Sequence, residues 1–215
     1  MKFERIFCFG DSITLGYNDS QGLGWPGRLC RGLKQGDCHV AAYNLGVNGD
    51  TSLDIAARWR AEALARSRNS PGLMLFAFGF NDAAKADGND FQVDFDTSTA
   101  TARSLLTAAQ GLSQVLWIGP TPLDESVNPL RTEYACWDMR NADIARYDEA
   151  YSKIARAIGV DYLQLFPEFS NSPRYQAALL AGDRLHPGDD GYAMIAERIA
   201  AWEPWREAIR EVNTA

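Results

Sequence analysis

Short apolar runs alternate with longer segments of helical periodicity along most of the chain. Five apolar runs are typical of strands that are covered on both faces, and they span residues 6–9, 40–44, 73–78, 115–119 and 160–165. Five segments repeat apolar residues at the spacing of a helix, and they span residues 25–34, 51–68, 97–110, 141–158 and 189–202. Parallel neighbouring strands need crossover connections, which are usually helices. The pattern therefore predicts an α/β fold, a three-layer α/β/α sandwich with a five-stranded parallel sheet.

Segment 51–68 shows the helical pattern most clearly. Its apolar residues at helical spacing are Leu53, Ile55, Ala56, Trp59, Ala63 and Leu64. Thr51 precedes them, and its hydroxyl can accept a hydrogen bond from a free N–H group of the first turn. We therefore expect an amphipathic helix that is capped by Thr51.

The composition and the net charge indicate which classes of binding partner are not expected. The chain has 215 residues, 46% of them hydrophobic and 23% charged, which is typical of one globular domain spanning 1–215. The net charge is −7, with 21 Lys and Arg against 28 Asp and Glu, so nucleic acid is not an expected partner. No apolar run approaches the ~18 residues of a membrane span. Residues 1–5 do not resemble a secretory leader, so we expect a cytoplasmic protein that does not insert into membranes.

The four cysteines do not show the spacing of a metal site. Cys8, Cys30, Cys38 and Cys136 are scattered along the chain, with neither a C-x-x-C pair nor paired histidines. We expect reduced, mostly buried thiols, and neither a metal nor a cofactor.

Polar and glycine-rich clusters follow three of the five predicted strands, and a fourth precedes the last helix. These clusters are residues 10–12, 46–50, 79–82 and 183–187. In an open parallel sheet, ligands bind outside the carboxyl ends of the strands. The four clusters are therefore predicted to meet at one edge of the sheet and to form a single site there.

These clusters contain the residue types that nucleophilic catalysis needs. A serine hydroxyl is a weak nucleophile until a base takes its proton, and a histidine base needs a partner that fixes its tautomer. Of the two histidines, His39 begins the second strand at its amino end and is interpreted as structural. His186 stands three residues after Asp183, so one loop can present both side chains towards Ser12. We predict Ser12 as nucleophile, His186 as base and Asp183 as its orienting partner.

Three groups are candidates for stabilising the oxyanion that forms during acyl transfer. Ser12 lies at a turn where its own N–H can face the reacting carbonyl, and Asn81 supplies a carboxamide. Gly49 can bring a second backbone N–H close because it has no side chain to obstruct the approach. Gly46 lies in the same loop and is the less favoured alternative to Gly49.

The four clusters resemble, in kind and in order, the four sequence blocks of the SGNH (GDSL-type) esterase and lipase family. The resemblance rests on Gly-Asp-Ser-Ile at 10–13, on Gly49, on Gly-x-Asn-Asp at 79–82 and on Asp-x-x-His at 183–186, and it covers essentially the whole chain. It implies a flavodoxin-like sandwich with strand order 2-1-3-4-5. It also implies a catalytic triad of Ser12, Asp183 and His186, and an oxyanion hole that includes Gly49 and Asn81.

The expected function is a serine esterase that cleaves a small, short-acyl carboxylic ester through an acyl-enzyme. Segment 120–140 is predicted to be a mostly polar loop, which favours a small ester over triglyceride. Candidate substrate contacts are Asp11, Phe80, Tyr134 and Trp137. The sequence leaves open an acetyl-sugar, an aryl ester, an acyl thioester or a lysophospholipid as substrate.

A different class of function stays open as the alternative, namely a non-catalytic or nucleotide-binding flavodoxin-like module. Residues 22–27 match the G-x-G-x-x-G pattern of dinucleotide sites. That pattern should follow the first strand immediately, whereas here about a dozen residues intervene. We therefore interpret residues 22–27 as a loop and the beginning of a helix.

Overall fold

The central sheet of the computed structural model contains the five predicted parallel strands. The structure describes residues 4–31, 33, 40–68 and 72–210. Its strands are β1 (Arg5–Gly10), β2 (Ala41–Gly46), β3 (Leu73–Ala77), β4 (Ala84–Ala86), β5 (Gln114–Ile118), β6 (Leu130–Arg131), β7 (Cys136–Met139) and β8 (Asp161–Leu163). The large sheet has the order β2-β1-β3-β5-β8, and its neighbouring strands are parallel. Numbered within that sheet, the order is 2-1-3-4-5, so the predicted fold class is confirmed.

Helices cover both faces of this sheet. They are α1 (Ser12–Leu15), α2 (Gly24–Arg31), α3 (Ser52–Ser67), α4 (Phe95–Gln110), α5 (Asn141–Ile158), α6 (Phe166–Ser170), α7 (Pro173–Ala181), α8 (Gly188–Ala201) and α9 (Glu203–Arg210). The five predicted helices correspond to α2, α3, α4, α5 and α8, although most of the predicted extension of α2 beyond residue 31 lies outside the described residues. The sequence did not predict α1, α6, α7 and α9, because at four to nine residues each is too short for a clear periodic pattern.

Two hydrophobic cores lie on opposite faces of the sheet. Phe7 and Phe9 of β1 pack into one core together with α3, α4 and α5. Ile6 and Cys8, which alternate with them, pack into the other core together with α2, α7, α8 and α9. Successive side chains of a strand point to opposite faces, so one apolar run serves both cores.

The beginning of α3 matches the prediction, but its buried face does not include all of the apolar residues at helical spacing. Thr51 caps the helix, with its backbone N–H donating to Asp54 at 2.9 Å and its hydroxyl accepting from the Asp54 N–H at 3.4 Å. Ile55 is fully buried, whereas Leu53 is 45% exposed and Leu64 is 53% exposed. Leu53 and Leu64 do not belong to the buried face, because at 100° per residue both lie on the far side of the helix from Ile55.

Segment 120–140 is not a simple loop, so that prediction was wrong. It contains a 3₁₀ turn at Glu125–Val127 and the antiparallel strands β6 and β7, which join β4 in a second sheet of order β4-β7-β6. The Asn128 side chain donates to the Met139 carbonyl at 2.6 Å and accepts from the Met139 N–H at 3.0 Å. We call this segment the hairpin. It is anchored at one end by Asn128 and along one side by β4.

The three cysteines that lie within the described residues are free thiols. Cys8 and Cys30 are buried, as expected, and Cys136 is half-buried in the hairpin. Cys38 and His39, interpreted above as a reduced thiol and a structural histidine, lie outside the described residues. In the part of the chain that the structure describes, no helix combines the length and the apolar character needed to cross a bilayer.

Candidate active site

Ser12 begins α1, just beyond the carboxyl end of β1, the strand that lies between β2 and β3 in the large sheet. Asp11 caps the single turn of α1 and accepts a hydrogen bond from the Ile13 N–H at 2.9 Å. A Cβ atom at residue 10 would lie 2.1 Å from the Thr14 hydroxyl oxygen, so glycine is required for this tight strand-to-helix turn. The turn leaves Ser12 only 7% exposed.

Asp183 and His186 lie in the loop between α7 and α8. One carboxylate oxygen of Asp183, Oδ1, accepts from the Leu185 N–H at 3.0 Å and from the His186 N–H at 2.6 Å. The other oxygen, Oδ2, lies 2.8 Å from Nδ1 of the His186 ring. An ionised carboxylate can only accept hydrogen bonds, so Nδ1 carries the proton and Nε2 is left as an acceptor.

The His186 ring connects this loop to Ser12. Its Nε2 atom lies 2.9 Å from the Ser12 hydroxyl oxygen, although the two residues are 174 positions apart. The ring of Tyr17 packs against the imidazole at 4.7 Å between centroids. A continuous hydrogen-bonded series therefore runs from Asp183 through His186 to Ser12, the arrangement that removes a proton from a serine hydroxyl.

Two carboxylates act on the imidazole, and their surroundings differ. Burial by itself raises the pKa of Asp183, but hydrogen bonds from His186 and Leu185 outweigh it and leave that pKa below its usual value. Burial raises the pKa of Asp11 to about 6, against the opposing effects of the Ile13 N–H and of the charge on His186. Asp183, whose pKa is lowered, is also the carboxylate that is hydrogen-bonded to the imidazole.

The two glycines of the loop after β2 have different physical roles. Gly49 lines the same cavity as Ser12, and its φ is +82°, which most residues avoid. A Cβ atom there would meet nothing within 4 Å, so backbone conformation and not close approach accounts for glycine. A Cβ atom at Gly46 would lie 2.1 Å from the Leu15 nitrogen, so Gly46 lets β2 approach α1. The structure brings Gly49, not Gly46, to the cavity.

Asn81 follows β3 and lines the same cavity. Its side-chain amide donates to the carbonyl oxygen of Asp50 at 2.9 Å, which joins it to the loop that contains Gly49. An amide group has two N–H bonds, so the same nitrogen retains a second donor. Asn81 thus lies beside the loop of Gly49, as predicted from the strand ends.

Sequence reasoning missed two networks that hold these loops together, a partly buried one around Arg58 and a buried one around Asp82. Arg58 of α3 donates to the Asp50 carboxylate at 2.7 Å and to the Gly10 carbonyl at 3.1 Å. Asp82 accepts from the Ser52 N–H at 2.7 Å and from the Ser98 hydroxyl at 2.5 Å. The turn before Ser12, the loop of Gly49 and the strand end of Asn81 are therefore connected to one another.

The candidate site opens into a cavity of about 770 Å³. Ser12, Gly49, Asn81 and His186 line it on the sheet side, and the hairpin lines it on the other. Of the four candidate substrate contacts, Tyr134 and Trp137 line this cavity, and Tyr134 is 85% exposed. Asp11 and Phe80 are buried and line a separate cavity of about 20 Å³, which has room for a single water molecule.

Residues 22–27 form the end of a loop and the beginning of α2 at Gly24, as predicted. The N–H groups of Leu23 and Gly24, which a phosphate would need there, donate to the carboxylate of Asp19 at 2.8 and 2.7 Å. Arg28 also donates to that carboxylate, at 2.6 Å. The chain's own carboxylate therefore occupies the position of an anion, which argues against the nucleotide-binding alternative.

The chain is similar to known hydrolases over most of its length. The sequence model of the GDSL-like Lipase/Acylhydrolase family matches residues 8–194, a range that includes Ser12, Asn81 and His186. An acetylxylan esterase of Geobacillus stearothermophilus is 27% identical over 211 residues, which cover 90% of each chain. An arylesterase of Vibrio mimicus is 24% identical over 197 residues, covering 92% of this chain and 86% of that one. The crystal structure of the lipase/acylhydrolase from Enterococcus faecalis has a TM-score of 0.68 and 25% identity, covering 92% and 94% of the two chains.

Proposed function

This chain belongs to the GDSL-like lipase/acylhydrolase family of ester hydrolases, and we propose that it is a serine esterase that forms an acyl-enzyme on Ser12. The proposal rests on the hydrogen-bonded series Asp183–His186–Ser12 beside an open cavity. His186 Nδ1 lies 2.8 Å from Asp183 Oδ2, and His186 Nε2 lies 2.9 Å from Ser12 Oγ. A phosphate-binding module has no need of this series.

In the first half of the reaction, the Ser12 hydroxyl oxygen attacks the carbonyl carbon of the ester. His186 Nε2 takes the hydroxyl proton, and its Nδ1–H bond to Asp183 keeps the ring in the required orientation. The carbonyl oxygen becomes negatively charged and accepts hydrogen bonds from the N–H groups of Ser12 and Gly49 and from the Asn81 amide. The imidazolium then gives its proton to the leaving alkoxide, and the acyl group remains on Ser12.

In the second half, a water molecule takes the place of the alcohol. His186 accepts a proton from the water as it attacks the acyl carbon, and the same donors stabilise the second oxyanion. When the bond to Ser12 breaks, the imidazolium returns its proton to the serine oxygen. The products are a carboxylic acid and the free enzyme.

The small substrate with a short acyl group is inferred from the polar part of the cavity lining, from one aromatic side chain and from two relatives. This lining is mixed, because the polar side chains of Asn48, Gln92, Thr132 and Glu133 stand among the apolar side chains of Ala84, Leu130, Met139 and Leu185. Trp137 is half-buried in the cavity wall and offers a flat surface for a sugar or aryl ring. The two curated relatives are named for an acetyl-carbohydrate ester and for aryl esters.

We expect kcat/KM to fall steeply from acetyl and butyryl esters of p-nitrophenol to the palmitoyl ester. Each buried CH₂ group would contribute ~0.8 kcal/mol, but polar side chains interrupt the apolar part of the lining, so a long chain would not bury all of its CH₂ groups. The measurement is a series of acyl lengths with the same leaving group, with EDTA expected to leave every rate unchanged. Preference for a sixteen-carbon chain, or loss of activity with EDTA, would contradict the proposed substrate class.

Asn81→Ala is expected to lower kcat by roughly 10²- to 10³-fold and to leave KM nearly unchanged, because the lost donor acts on the oxyanion and not on the ground state. The same substitution at the exposed Asn89 is the matched control and should leave both constants at the wild-type value. A rise in KM with constant kcat would assign Asn81 to substrate binding instead.

A further inference from the structure

The segment after α1, residues 16–22, folds over the loop that contains Asp183 and His186. We call it the cover segment. The ring of Tyr17 lies on the His186 imidazole, and the Tyr17 carbonyl accepts from the Tyr192 hydroxyl at 2.7 Å. The backbone N–H of Ser20 donates to the Asp189 carboxylate at 2.8 Å, as does its hydroxyl. The cover segment is thus attached at both Tyr17 and Ser20, and Asn18 lies between these attachments.

Asn18 is hydrogen-bonded to Asp183 itself. Its side-chain amide donates to Asp183 Oδ2 at 2.6 Å, and this is the oxygen that faces His186 Nδ1. The other described donors to Asp183 are the N–H groups of Leu185 and His186 and the His186 ring, all within its own turn. Asn18 is 165 positions away and is the described donor that reaches Asp183 from another element.

The backbone of Asn18 adopts a conformation that is unfavourable for most residues. Its φ is +62°, in the left-handed region, which asparagine tolerates better than most side chains. This conformation is maintained at the residue whose amide contacts Asp183, between the two attached ends of the cover segment. The left-handed backbone and the 2.6 Å contact therefore occur at the same residue.

We propose that Asn18 is a positioning residue that acts through Asp183 on the proton affinity of His186. The inference rests on the proposed roles of Ser12, His186 and Asp183. By donating to the carboxylate, the amide disperses part of its negative charge, so the imidazolium is stabilised less and His186 becomes neutral at lower pH. The same bond connects the segment after the Ser12 turn to the loop of His186, and it limits how far the two can separate.

Other charged and titratable groups surround Asp183 and His186, and the substitutions at Asn18 leave them unchanged. Asp11 faces these two residues from the cap of α1, Tyr192 from α8, and Tyr17 from the cover segment. Asp19 is bound to Arg28, and the guanidinium of Arg184 is directed to Asp124 at 2.6 Å. Asn18 contributes a neutral donor among these groups, so its replacement by aspartate adds one negative charge beside Asp183.

The experiment compares Asn18→Asp and Asn18→Gly, because both residues accept a left-handed backbone. The imidazole pKa of His186 is measured by NMR titration in a His39→Gln background, where His186 is the only histidine of the chain. We expect Asn18→Asp to raise this pKa by at least about half a unit and Asn18→Gly to raise it by less. The acid limb of the pH profile of kcat/KM should move to higher pH by the same amounts. In Asn18→Gly, the plateau value of kcat/KM at high pH should also fall by about tenfold.

Ser20→Ala is the control, because it alters the cover segment at a residue that binds Asp189 and not the proposed triad. It should leave the imidazole pKa unchanged. An imidazole pKa that is the same in wild type and Asn18→Asp would overturn the inference, even if KM or the melting temperature changed, because a purely structural role moves only those. The titration is made on the resting protein, so its result is independent of whether Ser12→Ala supports or overturns the proposed function.

Discussion

Ser12→Ala and His186→Ala are each expected to lower kcat on p-nitrophenyl acetate by on the order of 10⁴- to 10⁶-fold. The first substitution removes the atom that forms the acyl-enzyme. The second removes the base that lies 2.9 Å from that atom. Because the two side chains act as one unit, the double variant should lose little more activity than either single variant.

The folded structure should survive Ser12→Ala. The serine hydroxyl is directed to His186 beside an open cavity, so water can replace it as partner of Nε2. We therefore expect a melting temperature within a few degrees of wild type, together with full activity in the control Ser20→Ala. A Ser12→Ala protein that retains the wild-type rate would overturn the proposed nucleophile, and labelling of Ser12 by a phosphonate probe gives an independent measurement.

Asp183→Asn is expected to lower kcat by roughly 10³- to 10⁴-fold, because the amide selects the wrong tautomer of His186. Two backbone N–H groups donate to Oδ1 of Asp183, so the carbonyl oxygen of an asparagine would take that position. Its NH₂ group would then face His186 Nδ1 and donate to it. The ring proton would move to Nε2, where it points at Ser12 and blocks proton transfer.

If the amide of Asp183→Asn selects the wrong tautomer of His186, this substitution should lower kcat at least as much as Asp183→Ala does. In the alanine variant no amide opposes the correct tautomer, and the site is open enough for water to contact Nδ1, since the Asp183 side chain is 38% exposed. Asp124→Asn is the matched control, because Asp124 binds the neighbouring Arg184 and not His186. Steady-state rates for the three variants are sufficient, and an asparagine variant clearly faster than the alanine variant would contradict the tautomer argument.

Local patterns in the chain were enough to predict the large sheet and the helices that cover it. A strand buried on both faces is an apolar run, and a long amphipathic helix repeats at its own period, so each could be recognised without knowledge of its neighbours. The residues now proposed as catalytic were found in the same way. Ser12 stands two residues after the end of a strand, and the three-residue spacing of Asp183 and His186 is that of a single turn, in which two backbone N–H groups donate to the Asp183 carboxylate.

Other features depend on contacts between distant parts of the chain, and no local pattern predicts them. The hairpin pairs with β4, whose three residues precede β7 by about fifty positions and are too few for a periodic signal. Arg58 reaches the Gly10 carbonyl across 48 positions, and Asn18 reaches Asp183 across 165. Such hydrogen bonds form only after the order of strands in the sheet has brought the loops together. Tertiary structure therefore determines the walls of the cavity and the supports of the proposed catalytic groups.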